Sequence, residues 1–272
     1  MPELPEVETT RQGIAPHITG RQVNAVVIRQ FQLRWPITPN IDKHLPRKKL
    51  LNVHRRGKYL LLEFTHGHLM IHLGMSGSLR IVNPKKETPQ KHDHVDIIFS
   101  GNFALRFHDP RRFGSILWTD DDPYTHKLLA KLGPEPLSEN FTAEYLFTAS
   151  RKRKKDVKTF IMDSHIVVGV GNIYANESLF SSGIRPTKMA GALTRKNCLI
   201  WVENIQAILQ HSITQGGTTL RDFVGGDGKP GYFAQQLDVY GRGGEPCTQC
   251  QQPLKEIRQA QRSTVYCTRC QK

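Results

Sequence analysis

Two cysteine pairs constrain this chain more than any other feature. Cys247-Thr248-Gln249-Cys250 and Cys267-Thr268-Arg269-Cys270 are separated by sixteen residues. Two tight thiolate knuckles at that spacing close one tetrahedron, the pattern of a zinc ribbon. All four donors are then spent on one zinc ion. The metal is structural, and no coordination position stays open for water. A redox couple or a disulfide staple would use the same residues. The first residues are acidic and lack the apolar core of an export signal. No run of about 18 apolar residues offers a membrane span. The expected compartment is therefore a reducing cytoplasm, where paired cysteines serve metals rather than disulfides. The fifth cysteine, Cys198, lies in a helical pattern and reads as a packed core residue.

Upstream of the ribbon the chain changes character once. After a helix expected over residues 6–18, short strand-like runs follow at 23–33, 50–54, 59–65, 69–73, 78–82, 95–99, 104–108 and 115–119. Turn residues such as His66-Gly67, Met75-Ser76-Gly77 and Gly101-Asn102 punctuate them. Many short strands with tight turns predict an antiparallel sandwich or barrel. The polar stretch 83–94 reads as a loop. Near Asp120 the pattern becomes helical, with Asp120-Asp121-Asp122-Pro123 as a start signal. The longest helical pattern, 193–215, places Leu199, Val202, Ile205, Ile208, Leu209 and Ile213 on one face. A glycine-rich loop follows over 220–244. The fold class is thus α+β: an antiparallel β-rich unit with a flanking helix over 1–120, a helical unit over 121–232, and a small zinc-binding module over 233–272.

The formal net charge is +14, which points to a polyanionic partner, with nucleic acid ahead of an acidic membrane surface. Cations fall where contacts to such a partner would be useful. Lys255, Arg258, Arg262 and Arg269 lie in or beside the expected zinc hairpin, which suits either groove entry or a solvated basic surface. Arg151-Lys152-Arg153-Lys154-Lys155 precedes Gly169-Val170-Gly171-Asn172. Glycine permits close backbone approach, helix-start amides bind phosphate, and Asn172 is placed to cap the helix that follows. A solvated helix start and an ordinary tight turn remain the plain readings of those two stretches. Asp109-Pro110-Arg111-Arg112-Phe113-Gly114 puts arginine and an aromatic on a turn. Such a tip, with Met75 on another turn, can wedge into a duplex and fill the gap left by an extruded base. Core packing of Phe113 is the alternative.

The first eight residues, Met1-Pro2-Glu3-Leu4-Pro5-Glu6-Val7-Glu8, admit two readings. One is an acidic helix start, with proline in the first turn. The other is chemical. Removal of Met1 would leave Pro2 as a free secondary amine. An α-amino group titrates about two units below lysine and is more nucleophilic at neutral pH. Such an amine can form an iminium with a sugar carbon, and Glu3 stands beside it as proton donor or acceptor.

Pro2-Glu3-Leu4-Pro5-Glu6, Arg56-Gly57-Lys58-Tyr59, His72-Leu73-Gly74-Met75-Ser76-Gly77, Asp109-Pro110-Arg111-Arg112-Phe113-Gly114, Gly169-Val170-Gly171-Asn172-Ile173-Tyr174 and the cysteine pairs together resemble the bacterial formamidopyrimidine-DNA glycosylases. The resemblance runs from Pro2 to Lys272. It implies a β-sandwich catalytic domain, a helix–two-turn–helix domain carrying a zinc finger, and DNA in the cleft between them. It also implies a monomeric, cytoplasmic, nucleoid-associated enzyme of base excision repair. That enzyme would excise 8-oxoguanine and formamidopyrimidines from duplex DNA and then cut the strand by β- and δ-elimination.

By the same resemblance Pro2 is the nucleophile and Glu3 the acid beside it. Lys58 and Arg262 act on the phosphates near the lesion. Met75, Arg111 and Phe113 fill the void, Arg111 facing the orphaned base. His72, His92, Arg153 and Asn172 contact DNA, Cys247, Cys250, Cys267 and Cys270 hold one zinc ion, and the loop 218–232 caps the lesion. A sister enzyme for oxidised pyrimidines, endonuclease VIII, is the nearest alternative. It usually carries glycine where this chain has Leu4. A zinc-ribbon DNA-binding protein without catalysis is the other alternative, and it leaves the proline after Met1 unexplained.

Overall fold

The computed structural model describes residues 2–217 and 237–272. These fall into two compact units: residues 2–130 with 215–217, and residues 131–214 with 237–272.

The first unit begins with helix α1 (Leu4–Ile18), followed by β1 (Val23–Ile28), a one-turn helix α2 (Ile41–His44), β2 (Leu50–Arg56), β3 (Tyr59–Phe64), β4 (His68–His72), β5 (Ser78–Val82), β6 (Asp93–Phe99), β7 (Phe103–His108) and β8 (Ser115–Thr119). The strands form two antiparallel four-stranded sheets, ordered β1-β6-β7-β5 and β2-β3-β4-β8. Val95, Ile97, Phe99, Leu105 and Phe107 of one sheet share a core with Leu60, Leu62, Phe64, Leu69 and Ile71 of the other. Val7, Ile14 and Ile18 of α1 join it, so the helix flanks the sandwich by its apolar stripe.

Two sequence expectations change here. The first strand stops at Ile28 rather than running to residue 33; the Arg29 N–H still bonds His94 O at 2.8 Å, and its side chain pairs with Asp96 at 2.6 Å. The polar stretch 83–94 gives up Asp93 and His94 to β6, where both are buried. Asp93 pairs with Arg80 at 2.9 Å and is hydrogen-bonded to His108 at 2.8 Å, so a polar sequence ends inside the sheet.

The second unit holds α3 (Ala143–Ser150), α4 (Val157–Ile161), α5 (Asn172–Ser181) and α6 (Arg195–Thr214), then a hairpin of β9 (Lys255–Gln259) and β10 (Arg262–Tyr266). The acidic start signal at 120–122 yields only a 3-10 turn over Pro123–Thr125, capped by the Asp122 carboxylate. The buried face of α6 is Cys198, Trp201, Val202, Ile205 and Leu209. Leu199, expected on that face, is 50% exposed, and Cys198 occupies the position one residue earlier on the helical wheel.

Helix α5 is buried continuously from Ile173 to Phe180. Its polar side chains are spent as anchors. Asn176 Oδ1 accepts the Val265 N–H of β10 at 2.8 Å. Glu177 accepts the N–H groups of Asp238, Val239 and Tyr240 at 2.7 to 3.0 Å. Ser178 Oγ accepts the Trp201 indole N–H at 3.1 Å. Buried polar groups must be paired, and here the pairing docks both α6 and the C-terminal module on one helix.

Candidate active site and nucleic-acid interface

Pro2 is buried at the entrance of α1, and Glu3, also buried, is the residue before the first helical turn. Glu6, 0% exposed, accepts the Glu3 N–H at 2.8 Å, which sets the Pro2–Glu3 peptide against the helix end. Gly217 packs on the same carboxylate, where an added Cβ would meet Glu6 Cα at 3.5 Å. Helix α1 is clasped to β2 by Glu8, which accepts from Arg55 Nε at 2.9 Å and Arg11 Nη2 at 2.7 Å. Burial opposes the Glu8 charge, but the two arginine hydrogen bonds outweigh it and hold the carboxyl below its usual range.

That clasp fixes β2, and β2 leads directly to Lys58. Arg56 pairs with Tyr59, leaving Gly57-Lys58 as a two-residue turn. The first position of such a turn takes a positive φ, and Gly57 has φ 57°. Across the sheet Tyr59 pairs with His72, their rings 4.7 Å apart. His72 Nδ1 accepts the Gly74 N–H at 2.9 Å. Burial, reinforced by the Lys58 and Arg34 cations, lowers the His72 pKa to about 4. At neutral pH the ring is uncharged, with its proton on Nε2 as a neutral donor.

Met75 and Phe113 are 36% and 43% exposed, an unusual presentation for large apolar side chains on adjoining turns. The turns touch backbone to backbone: a Cβ on Gly74 would lie 2.4 Å from Gly114 N and Phe113 C. The Arg111 guanidinium lies 5.0 Å from the centre of the Phe113 ring. Arg112 sits at φ 56°, in the left-handed region that non-glycine residues avoid. His92 is close by in sequence to β6, also at positive φ, with edge contacts to the His94 and His108 rings at 6.1 Å. Burial, with Lys91 and His108 adding to it, lowers the His92 pKa.

In the second unit Asn172 is the first residue of α5 rather than its cap. Gly171 takes the cap position with extended backbone. Asn172 Oδ1 is buried and has no hydrogen-bond partner among the described residues. Of the five consecutive cations, Lys152 through Lys155 are exposed. Arg151 is instead a structural residue, 4.0 Å from the Phe147 ring centre and donating to Leu193 O at 2.6 Å. Arg153 is exposed, and its carbonyl receives the Gly191 N–H at 3.0 Å.

Arg262 opens β10 just past the hairpin tip. Ala260 and Gln261 at the tip both have positive φ, 43° and 61°, which the two-residue turn demands. Arg262 lines a pocket of about 280 Å³ with Lys155, Lys158, Thr159, Met162 and Gln259. The floor is Lys158. Its side chain is buried, and its ammonium donates to Ser263 O at 2.7 Å and Thr264 Oγ1 at 2.6 Å. Sequence reasoning misses this lysine, because a cation three residues past a cationic run looks like more of the same surface.

The four cysteine sulfurs lie within 4.8 Å of one another. Cys250 and Cys267 are 3.4 Å apart and Cys247 and Cys270 are 4.0 Å apart. A tetrahedron with zinc–sulfur bonds of about 2.3 Å has edges of about 3.8 Å. The donor set therefore fits one structural zinc, and the separations are too long for a disulfide of about 2.05 Å. The 218–232 loop lies outside the described residues. No described helix is long and apolar enough to cross a membrane.

Comparison with known proteins agrees with this geometry. Residues 1–116 match the formamidopyrimidine-DNA glycosylase N-terminal domain, 132–224 the H2TH domain of that enzyme, and 244–272 the zinc finger found in that enzyme and isoleucyl-tRNA synthetase. The formamidopyrimidine-DNA glycosylase of Saccharophagus degradans is 61% identical over 272 residues, covering 100% of both chains. That of Cellvibrio japonicus is 63% identical over 271 residues, with 100% of both chains covered. The Lactococcus lactis enzyme in complex with an abasic-site-containing DNA superposes with a TM-score of 0.91 at 32% identity, covering 99% of each chain. A MutM structure with carbocyclic 8-oxo-G-containing DNA gives a TM-score of 0.91 at 33% identity, again covering 99% of each chain. Full-length identity above 60% and matches to all three parts leave one assignment: the chain belongs to the formamidopyrimidine-DNA glycosylase family.

Proposed function

We propose that this chain is a bifunctional DNA glycosylase and abasic-site lyase that removes oxidised purines from duplex DNA in base excision repair, in the cytoplasm at the bacterial nucleoid. The observation that carries the chemistry is the Pro2–Glu3 peptide held against the N-terminus of α1 by Glu6. Once Met1 is removed, the Pro2 amine stands at the positive end of the helix dipole, which disfavours its protonated form. The amine attacks the sugar C1′, the bond from C1′ to the base breaks, and the amine's N–H proton leaves with the departing base. Glu3 protonates the sugar ring oxygen, the ring opens, and an iminium joins Pro2 to C1′. The iminium acidifies C2′. Loss of that proton expels the 3′ phosphate, and loss of the C4′ proton expels the 5′ phosphate.

The remaining residues hold the DNA for those steps. The base must leave the stack before C1′ can be reached. Met75, Arg111 and Phe113 occupy the space it leaves. Lys58 and Arg262 bind phosphates beside the lesion, the former assisting elimination. His72 donates as a neutral ring, and Asn172, Arg153 and His92 contact the backbone elsewhere. The amide of Asn172 suits this because it carries two N–H donors.

Borohydride trapping tests the reading. A duplex with one 8-oxoguanine opposite cytosine should give a covalent adduct with wild type. Pro2→Gly should weaken that adduct, and any N-terminal extension should abolish it. An adduct that survives extension would sink the amine mechanism. A parallel duplex with an oxidised pyrimidine should react more slowly.

A further inference from the structure

Within the wedge assigned above, the two turns do not share a secondary-structure element, yet they behave as one surface. What joins them is the carboxylate of Asp109, which is 0% exposed. Its Oδ2 accepts the Gly114 N–H at 2.8 Å, at the end of the Arg111–Phe113 turn. Its Oδ1 accepts the Ser76 hydroxyl at 2.9 Å, in the Met75 turn. Ser76 Oγ in turn accepts the Arg111 N–H at 3.2 Å. Three hydrogen bonds thus run Gly114, Asp109, Ser76, Arg111 and close a ring through both turns. The carboxylate is itself held from behind. The Asp109 N–H bonds His92 O at 3.0 Å, and the Asp109 carbonyl bonds His94 Nε2 at 2.7 Å. Among the described residues no cation forms an ion pair with it, so the two donors are what its buried oxygens have.

We propose that Asp109 is a positioning residue for base extrusion: its buried carboxylate locks the Met75 turn to the Arg111–Phe113 turn, so that the wedge meets DNA already assembled. The inference rests on the wedge role given above. An ionised carboxylate only accepts, and it can accept from both turns at once. An asparagine has one accepting oxygen. It can keep the Gly114 N–H or the Ser76 hydroxyl, but not both in their present directions. The arginine at φ 56° beside it implies a turn that would relax if released. A relaxed wedge must be ordered at the moment of binding, and that cost comes out of the binding energy. Misplacement by about 1 Å can cost about 100-fold in rate.

Asp109→Asn and Ser76→Ala are the variants, with two readouts that a merely structural role would move together. One is single-turnover excision from an 8-oxoguanine duplex beside strand cleavage of a single-stranded abasic oligonucleotide, which has no partner base to displace. The other is the fluorescence of 2-aminopurine placed opposite the lesion, which rises when the wedge unstacks it. We expect duplex excision to fall about 10- to 100-fold in each variant and single-stranded cleavage to stay within about twofold. The 2-aminopurine rise should shrink, and the double variant should be little worse than Asp109→Asn, since both break one ring. Equal losses on both substrates would overturn the proposal, as would full duplex activity in Asp109→Asn. Ser76→Ala keeps the carboxylate and tests the link if Asp109→Asn folds poorly. The fluorescence signal needs only binding. It therefore judges Asp109 even if wild type gives no borohydride adduct, an outcome that would defeat the lyase chemistry alone.

Discussion

The β-sandwich and the zinc module are stabilised by opposite means. In the sandwich, two sheets and α1 bury one apolar core, and charge is confined to small networks: the Glu8 clasp with Arg11 and Arg55, and Asp93 and Asp96 with Arg80, Arg106 and Arg29. The zinc module has almost no core of its own. Its buried cluster is Val239, Leu254, Val265 and two ligating cysteines, completed by Phe180 from α5. Chains this short seldom bury enough surface to fold alone. The module takes its stability from metal and its position from borrowed polar side chains: Asn176, Glu177 and Lys158. Gln271 adds a fourth anchor, accepting the Cys267 N–H at 2.9 Å and donating to Ile184 O at 2.8 Å. Apolar packing thus builds the sandwich, while metal and hydrogen bonds build the hairpin.

Metal removal should separate the two most sharply. Structural zinc contributes about 10–16 kcal/mol of apparent binding free energy in small fingers. Chelation at neutral pH is expected to erase hydrogen-exchange protection in β9 and β10, leave β2 through β4 protected, and weaken DNA binding through loss of Arg262. Hairpin amides that stay protected in a zinc-free preparation would break the comparison.

Single substitutions should respect the same division. Glu177→Ala strands three backbone N–H groups and should cost about 3 kcal/mol, read as faster zinc loss and a lower melting step for the second unit. Leu62→Ala removes sandwich core and should cost about 2–5 kcal/mol, with zinc loss unchanged. If Glu177→Ala lowered the sandwich transition equally, the polar anchors would not be local to the module.

This division also explains what could be read from the sequence. Apolar alternation marks strands well, and β5 and β8 fall where their patterns place them, at Ser78–Val82 and Ser115–Thr119. Cysteine spacing announces the metal, because ligand geometry leaves little freedom. The polar anchors have no such periodicity. Glu177 and Asn176 look like the solvent face of a helix until α5 is seen to be covered on all sides. Asp109 and Ser76 meet across 33 residues of chain, and no local pattern links them. Leu199 shows the converse error: an apolar residue suggested a face that Trp201 and Cys198 define instead.

Acid should affect the sandwich through its charge network. Burial opposes the charge on Asp93 and Asp96. Hydrogen bonds outweigh it, from the Gln90 N–H and His108 to the one and from Arg106 and Arg29 to the other, and both carboxyls are held below the usual carboxylate range. A group lowered on folding adds stability above its unfolded value, and that stability is lost as pH falls through the folded value. Denaturant midpoints of the sandwich transition should therefore hold from neutral pH down to about 4 and decline below it. Asp96→Asn should start lower and decline less. A variant that declines as steeply as wild type would show that other groups carry the acid response.

The smallest effect concerns His72, and it separates charge from shape within the sandwich unit. With its pKa lowered to about 4, this ring is neutral wherever the enzyme works. Raised pKa values would have made it a phosphate-binding cation below pH 7. Instead burial, reinforced by the positive field of Lys58 and Arg34, excludes a third charge and leaves His72 one neutral N–H. Replacement by glutamine, which keeps a neutral donor, should change DNA affinity by less than about threefold and leave the salt dependence unaltered, because that slope counts charges. An imidazole resonance for His72 that titrates between pH 5.5 and 7.5 in the free enzyme would contradict the neutral assignment. It would also place a third cation beside Lys58 and Arg34, turning a site of two charges and one dipole into an electrostatic clamp.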